Sequence, residues 1–70
     1  SYYLDLIIKA INEHGAVERK DLEDLLWNKL PGWMSDKQRK NKISNLLSEL
    51  RRNNQIKNEN NDTKPKWVLC

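Results

Sequence analysis

Gln38, Asn41, Ser44 and Asn45 put three carboxamides and a hydroxyl into one short stretch, with Lys37, Lys42, Arg51 and Arg52 around them. A carboxamide offers a donor and an acceptor side by side, which matches the N6 and N7 edge of adenine, while cations on long stems meet phosphate oxygens. The chemistry these types suggest is hydrogen bonding to base edges with phosphate neutralisation beside it. Lys57, Lys64 and Lys66 supply a second group of candidate phosphate contacts further along the chain.

Such residues act together only if one element presents them, and Ser35 to Asn53 reads as that element. Ser35 and Gln38 have the spacing of a capping box, in which the hydroxyl accepts from the Gln38 N–H and the amide reaches back to the Ser35 N–H. Ile43, Leu46, Leu47 and Leu50 then follow at helical spacing, uninterrupted by Gly or Pro. This gives one apolar face, opposite Lys37, Gln38, Asn41, Ser44, Asn45, Ser48 and Arg52. Arg39 and Lys40 fall at the margins, where their stems are expected to cover the core edge and their charges to reach outward.

Two helices are expected before it. Tyr3, Leu4, Ile7, Ile8 and Ile11 form the stripe of the first, which ends at Gly15, and Leu22, Leu25, Leu26 and Leu30 form that of the second, stopped by Pro31 and Gly32. Glu18, Asp21, Glu23 and Asp24 complement the dipole at the start of the second helix. Between the helices, Ala16 to Glu18 reads as a brief strand or an extended connector. After the third helix, Ile56 and then Trp67, Val68 and Leu69 read as a hairpin with a loose polar tip, burying Ile56, Trp67 and Leu69. The fold class is therefore α+β, in the order α-β-α-α-β-β. That is the order of a winged helix-turn-helix, in which the last helix can enter a DNA major groove. About seventeen side chains are available to its core.

At 70 residues the chain is a single domain near the small end of what folds alone. Its formal net charge of +3 is unevenly spread: residues 1–30 hold four cations and six anions, and residues 31–70 hold nine cations and four anions. A basic half beside an acidic half suits a module that turns one side to a polyanion. Cys70 is the only cysteine, so no internal disulfide forms and a reducing, cytoplasmic setting is expected. No apolar run approaches a membrane span, and no signal segment is present, so no membrane partner is expected. His14 is the only histidine; with one distant cysteine, no zinc ligand set exists, and neither a metal nor another cofactor is expected. The carboxylates of the second helix lack a Ser, His or metal-ligand neighbour, so no catalytic residue is expected in this chain.

The runs IIKAINEHGAVERKDLEDLL, KNKISNLLSELRRNNQIKN and KPKWVL resemble the C-terminal winged-helix domain of bacterial RecG-related ATP-dependent DNA helicases, also labelled transcriptional regulators. Those proteins carry a divergent-AAA or Schlafen-like ATP-binding domain upstream. The likeness covers nearly the whole chain, through fold-making positions that other winged helices share. It implies a DNA-binding accessory domain, residues 1–70, cut from the C-terminal end of a longer protein whose ATP-binding remainder is a further partner. One departure stands out: Glu18 occupies the position where a Ser or Thr cap is expected.

Two functions from different classes compete. In the first, helix 36–53 lies in the major groove of duplex DNA with the wing lysines on phosphate. In the second, Trp27, Trp33 and Met34 form an apolar patch that contacts protein, including the rest of a parent chain. Against the patch, Trp33 and Met34 can instead fold back to close the end of the core. Single-strand or junction binding by the wing has less support, because its only aromatic, Trp67, is expected to be buried. Pairing of Lys37, Arg52 and the wing lysines with Glu49, Glu59 and Asp62 would weaken the DNA reading.

Overall fold

A computed structural model describes residues 1–70. Three helices and a three-stranded antiparallel sheet follow in the order α1 (Tyr2–His14), β1 (Val17–Glu18), α2 (Arg19–Leu26), α3 (Asp36–Arg52), β2 (Ile56–Asn58) and β3 (Lys66–Leu69). The strand order is β1-β3-β2, so the last strand is central and joins both ends of the chain. Val17 faces Trp67 across one ladder, and Ile56 faces Leu69 across the other. The two-residue alternation then turns Val17, Trp67, Leu69 and Ile56 to the helices, and Glu18, Lys57, Lys66 and Val68 to the other face.

Each helix ends as local chemistry requires. Ser35 and Gln38 form the expected capping box, with bonds of 3.2 and 2.8 Å. Gly15 follows α1 at a φ of 81°, which costs a glycine little, and donates its N–H to Ile11 O at 2.7 Å. The end of α3 is a Schellman motif: Asn54 at a φ of 58° donates to Arg51 O, and Gln55 donates to Leu50 O, both at 3.0 Å. Asparagine suits that position because it tolerates the left-handed region. At the start of α2, Glu18 stands where a hydroxyl cap was expected. The Asp21 carboxylate accepts from its N–H at 2.9 Å, so the donor is satisfied from within the helix.

Twelve side chains are buried, fewer than the roughly seventeen the sequence offers. Ile7, Ile11, Leu22, Leu26, Ile43 and Leu50 are the most enclosed. Leu4, Ile8, Leu25 and Leu69 pack against this cluster but stay half-buried, because a core this small has more rim than interior. The second helix is also shorter than its stripe suggests. It gives way after Leu26 to one turn of 3-10 helix, Trp27–Lys29, and Leu30 reaches the core from extended backbone.

Arg39 departs most from expectation. Its guanidinium turns inward and donates to the carbonyl oxygens of Trp27, Met34 and Pro31, the last two at 3.2 Å, and lies 5.6 Å from the centre of the Trp27 ring. The connector between α2 and α3 has no ladder of its own, so one side chain satisfies three of its acceptors. Arg39→Ala is expected to lower stability by about 2–3 kcal/mol in urea unfolding, whereas exposed Lys40→Ala shifts it by less than about 0.5 kcal/mol.

Candidate nucleic-acid interface

The exposed face of α3 is built from a single row. Its core positions, Ile43, Leu46, Leu47 and Leu50, leave Gln38, Asn41, Asn45, Ser48 and Arg52 on the far side, all exposed, with Lys37 beside them. The structure thus brings together three of the four candidate base-edge residues. Ser44, the fourth, lies elsewhere. One residue along from Ile43, it turns toward α2, is half-buried, and its hydroxyl accepts from Arg19 Nη1 at 2.7 Å. Ser48 takes its place in the row. The spacing Asn41, Asn45, Ser48, Arg52 was the signal that could have favoured Ser48, since it keeps one helical face over three turns.

Arg19 shows the same economy as Arg39. Its three nitrogens donate to Glu23 Oε2 at 2.8 Å, Ser44 Oγ at 2.7 Å and Lys40 O at 2.8 Å, tying α2 to α3. The pair with Glu23 is the only ion pair in the molecule. Lys37, Lys42, Arg51, Arg52, Lys57, Lys64 and Lys66 have no carboxylate within 4 Å, so Glu49, Glu59 and Asp62 neutralise none of them directly. Two of these cations meet aromatic rings instead. Lys42 Nζ is 5.9 Å from the Tyr3 ring centre, and the Arg51 guanidinium is 5.3 Å from that of Trp67.

Three shallow depressions carry this surface from α3 to the hairpin. The first joins Trp33 and Met34 to Gln38, Asn41, Lys42 and Asn45. Ser48, Arg51 and Arg52 line the second. Arg51 also lines the third, where it meets Lys57, Asn58, Asn60 and Asp62 at the base of the hairpin. Lys57 and Lys66 share the outer sheet face, and Lys64 sits in the loop between β2 and β3.

That loop is not loose. Asn58 Oδ1 accepts from the N–H groups of Asn60 and Lys66 at 2.9 and 3.0 Å. Asn61 Oδ1 accepts from Lys64 N at 2.9 Å, and Asn60 Nδ2 donates to Lys64 O at 2.7 Å. Short amide side chains here replace a backbone ladder and fix the lysine-bearing segment.

The apolar patch is divided. Half-buried Trp27 borders Glu23, Asp24 and Asn28, whereas Trp33 and Met34 border the amide row. Met34 packs against the core as one reading expected, but Trp33 stays 74 % exposed. Elsewhere, no helix is long and apolar enough to cross a membrane, and no three His, Cys, Asp or Glu residues gather as a metal site would need.

Compared with models of protein families, with curated proteins and with solved structures, the chain matches none. The site therefore stands on its own geometry. Asn58→Ala removes the acceptor shared by two backbone donors, so the amides of Asn60 and Lys66 are expected to exchange with deuterium at least about tenfold faster, while those of α3 are unchanged.

Proposed function

We propose that this chain is a winged helix-turn-helix domain that binds duplex DNA without catalysing a reaction. In this reading α2, the 27–35 connector and α3 form the helix-turn-helix, α3 enters the major groove, and β2, β3 and their loop are the wing. Gln38, Asn41, Asn45 and Ser48 face base edges. Lys37 and Arg52 flank them on phosphate, with Lys42 and Arg51 at the sides and Lys57, Lys64 and Lys66 on the wing. The element order and the central last strand support the architecture.

One observation carries the function: residues 31–70 hold nine cations against four anions, and seven of those cations line the proposed interface with no ion pair to neutralise them. Unpaired cations keep their full attraction for a polyanion, and their counterions are released when phosphates replace them. The likeness to helicase-related proteins extends the proposal to an accessory role beside an ATP-binding domain, in DNA processing or transcription. Protein contact remains the second reading because Trp33 is the one large aromatic of the connector left open.

A salt-titrated binding assay with a random-sequence duplex tests the choice. Replacing Lys37 and Arg52 together with alanine is expected to leave the fold intact by circular dichroism, weaken binding, and lower the salt slope by about two. Absence of binding at ~20 mM salt, where screening is weakest, would refute the DNA reading and favour Trp33 as a protein contact.

A further inference from the structure

The depression beside the first half of α3 sets amide and apolar side chains next to each other. Gln38, Asn41 and Asn45, which carry carboxamides, line it together with Lys42, Trp33 and Met34. Carboxamides pair in two-bond fashion with the N6 donor and N7 acceptor of adenine. Apolar side chains in the major groove meet the C5 methyl of thymine, which no other base carries. Arginine and lysine are the usual matches for guanine; Lys42 is the one cation that lines the depression, and the arginine forks are engaged or distant. Arg19 and Arg39, which reach the first half of α3, direct their donors to protein acceptors. Arg51 packs over Trp67, and Arg52 lies in the last turn.

We infer that this depression selects A·T base pairs in the major groove of duplex DNA, with Gln38, Asn41 and Asn45 reading adenine and Trp33 with Met34 contacting the thymine methyl. The inference rests on the DNA-binding reading and names the sequence class which that reading leaves open. Lys42, the one cation of the depression, sits at its Tyr3 side, where an adjacent phosphate suits it better than a base edge. Trp33 acquires a role on this account: it is exposed because its partner is a methyl group outside the protein.

The test uses duplexes of equal length at one salt concentration: alternating A·T, alternating G·C, the A·T duplex with uracil for thymine, and the A·T duplex with 7-deazaadenine for adenine. The chain is expected to bind the A·T duplex at least about fivefold more tightly than G·C. Uracil, which removes only the methyl, is expected to weaken binding about threefold to fourfold, and 7-deazaadenine, which removes the N7 acceptor, about fivefold or more. Trp33→Ala should narrow the difference between the thymine and uracil duplexes while still discriminating 7-deazaadenine. Asn41→Ala should narrow the 7-deazaadenine difference while still discriminating uracil. Equal binding to A·T and G·C duplexes overturns the inference and leaves DNA binding standing. An A·T preference insensitive to both base analogues also overturns it, since the selection would then come from duplex shape. Binding to none of the four duplexes refutes the underlying reading as well.

Discussion

Three carbonyl oxygens, on Trp27, Pro31 and Met34, converge on the guanidinium of Arg39, and the relation of α2 to α3 depends on that convergence. The connector they belong to is short and partly apolar, with only a 3-10 turn and one Met34 N–H to Pro31 O bond of its own, so few backbone bonds dictate its path. A planar cation with donors on three separate nitrogens reaches acceptors spread along the connector, whereas a lysine would have to gather all three around one nitrogen. Holding the connector also fixes where the chain enters the Ser35 cap, and hence which side of α3 lies beside Trp33. Arg19 repeats the device on the other flank, joining α2 to the middle of α3 through Ser44 and the Lys40 carbonyl. Together the two arginines act as internal fasteners where a core of twelve residues has little area to spare.

The cations consequently divide by position. Arg19 and Arg39 turn inward to protein oxygen, whereas Arg51, Arg52 and the lysines at positions 37, 57, 64 and 66 stay exposed and form no ion pair. A net charge of +3 therefore understates the field on the α3 and hairpin side, because the acidic residues gather in the first part of the chain. For a polyanionic partner the arrangement gives attraction at long range and hydrogen-bonding amides at short range. The order is physically sensible, since steering needs charge and selection needs geometry.

Much of the fold is legible in the residues alone. The Ser35–Gln38 box, the apolar stripes, Gly15 and the hairpin were legible, because each is set by neighbours in sequence or by a simple period, while the segment at Val17 read equally as a strand or a connector. What escaped depends on contacts between segments. An arginine at the edge of a stripe looks like surface charge until a connector folds over it, as Arg39 shows. Ser44 looks like part of the polar face until Arg19 arrives from α2. The asparagines of 58–61 look like a mobile tip, since nothing in their identity says that two of them will accept from backbone donors across the loop. The amide row itself was legible except for the exchange of Ser44 for Ser48. Its closeness to Trp33 was not, because the path of the connector is a tertiary fact.

The place of β3 in the sheet has a consequence for how the molecule comes into being. Its middle strand is the last element, and the Val17 to Trp67 register joins segments near opposite ends of the chain. Closing so long a loop carries an entropy cost that local helix formation cannot offset in advance. During synthesis the three helices can therefore form and collapse, yet β1 and β2 have no shared neighbour until residues 66–69 emerge. The hairpin bearing Lys57, Lys64 and Lys66 completes at the same moment as the core that Trp67 closes. Until that strand emerges the chain exposes its apolar interior and lacks much of the proposed binding surface, so the core and that surface are completed together.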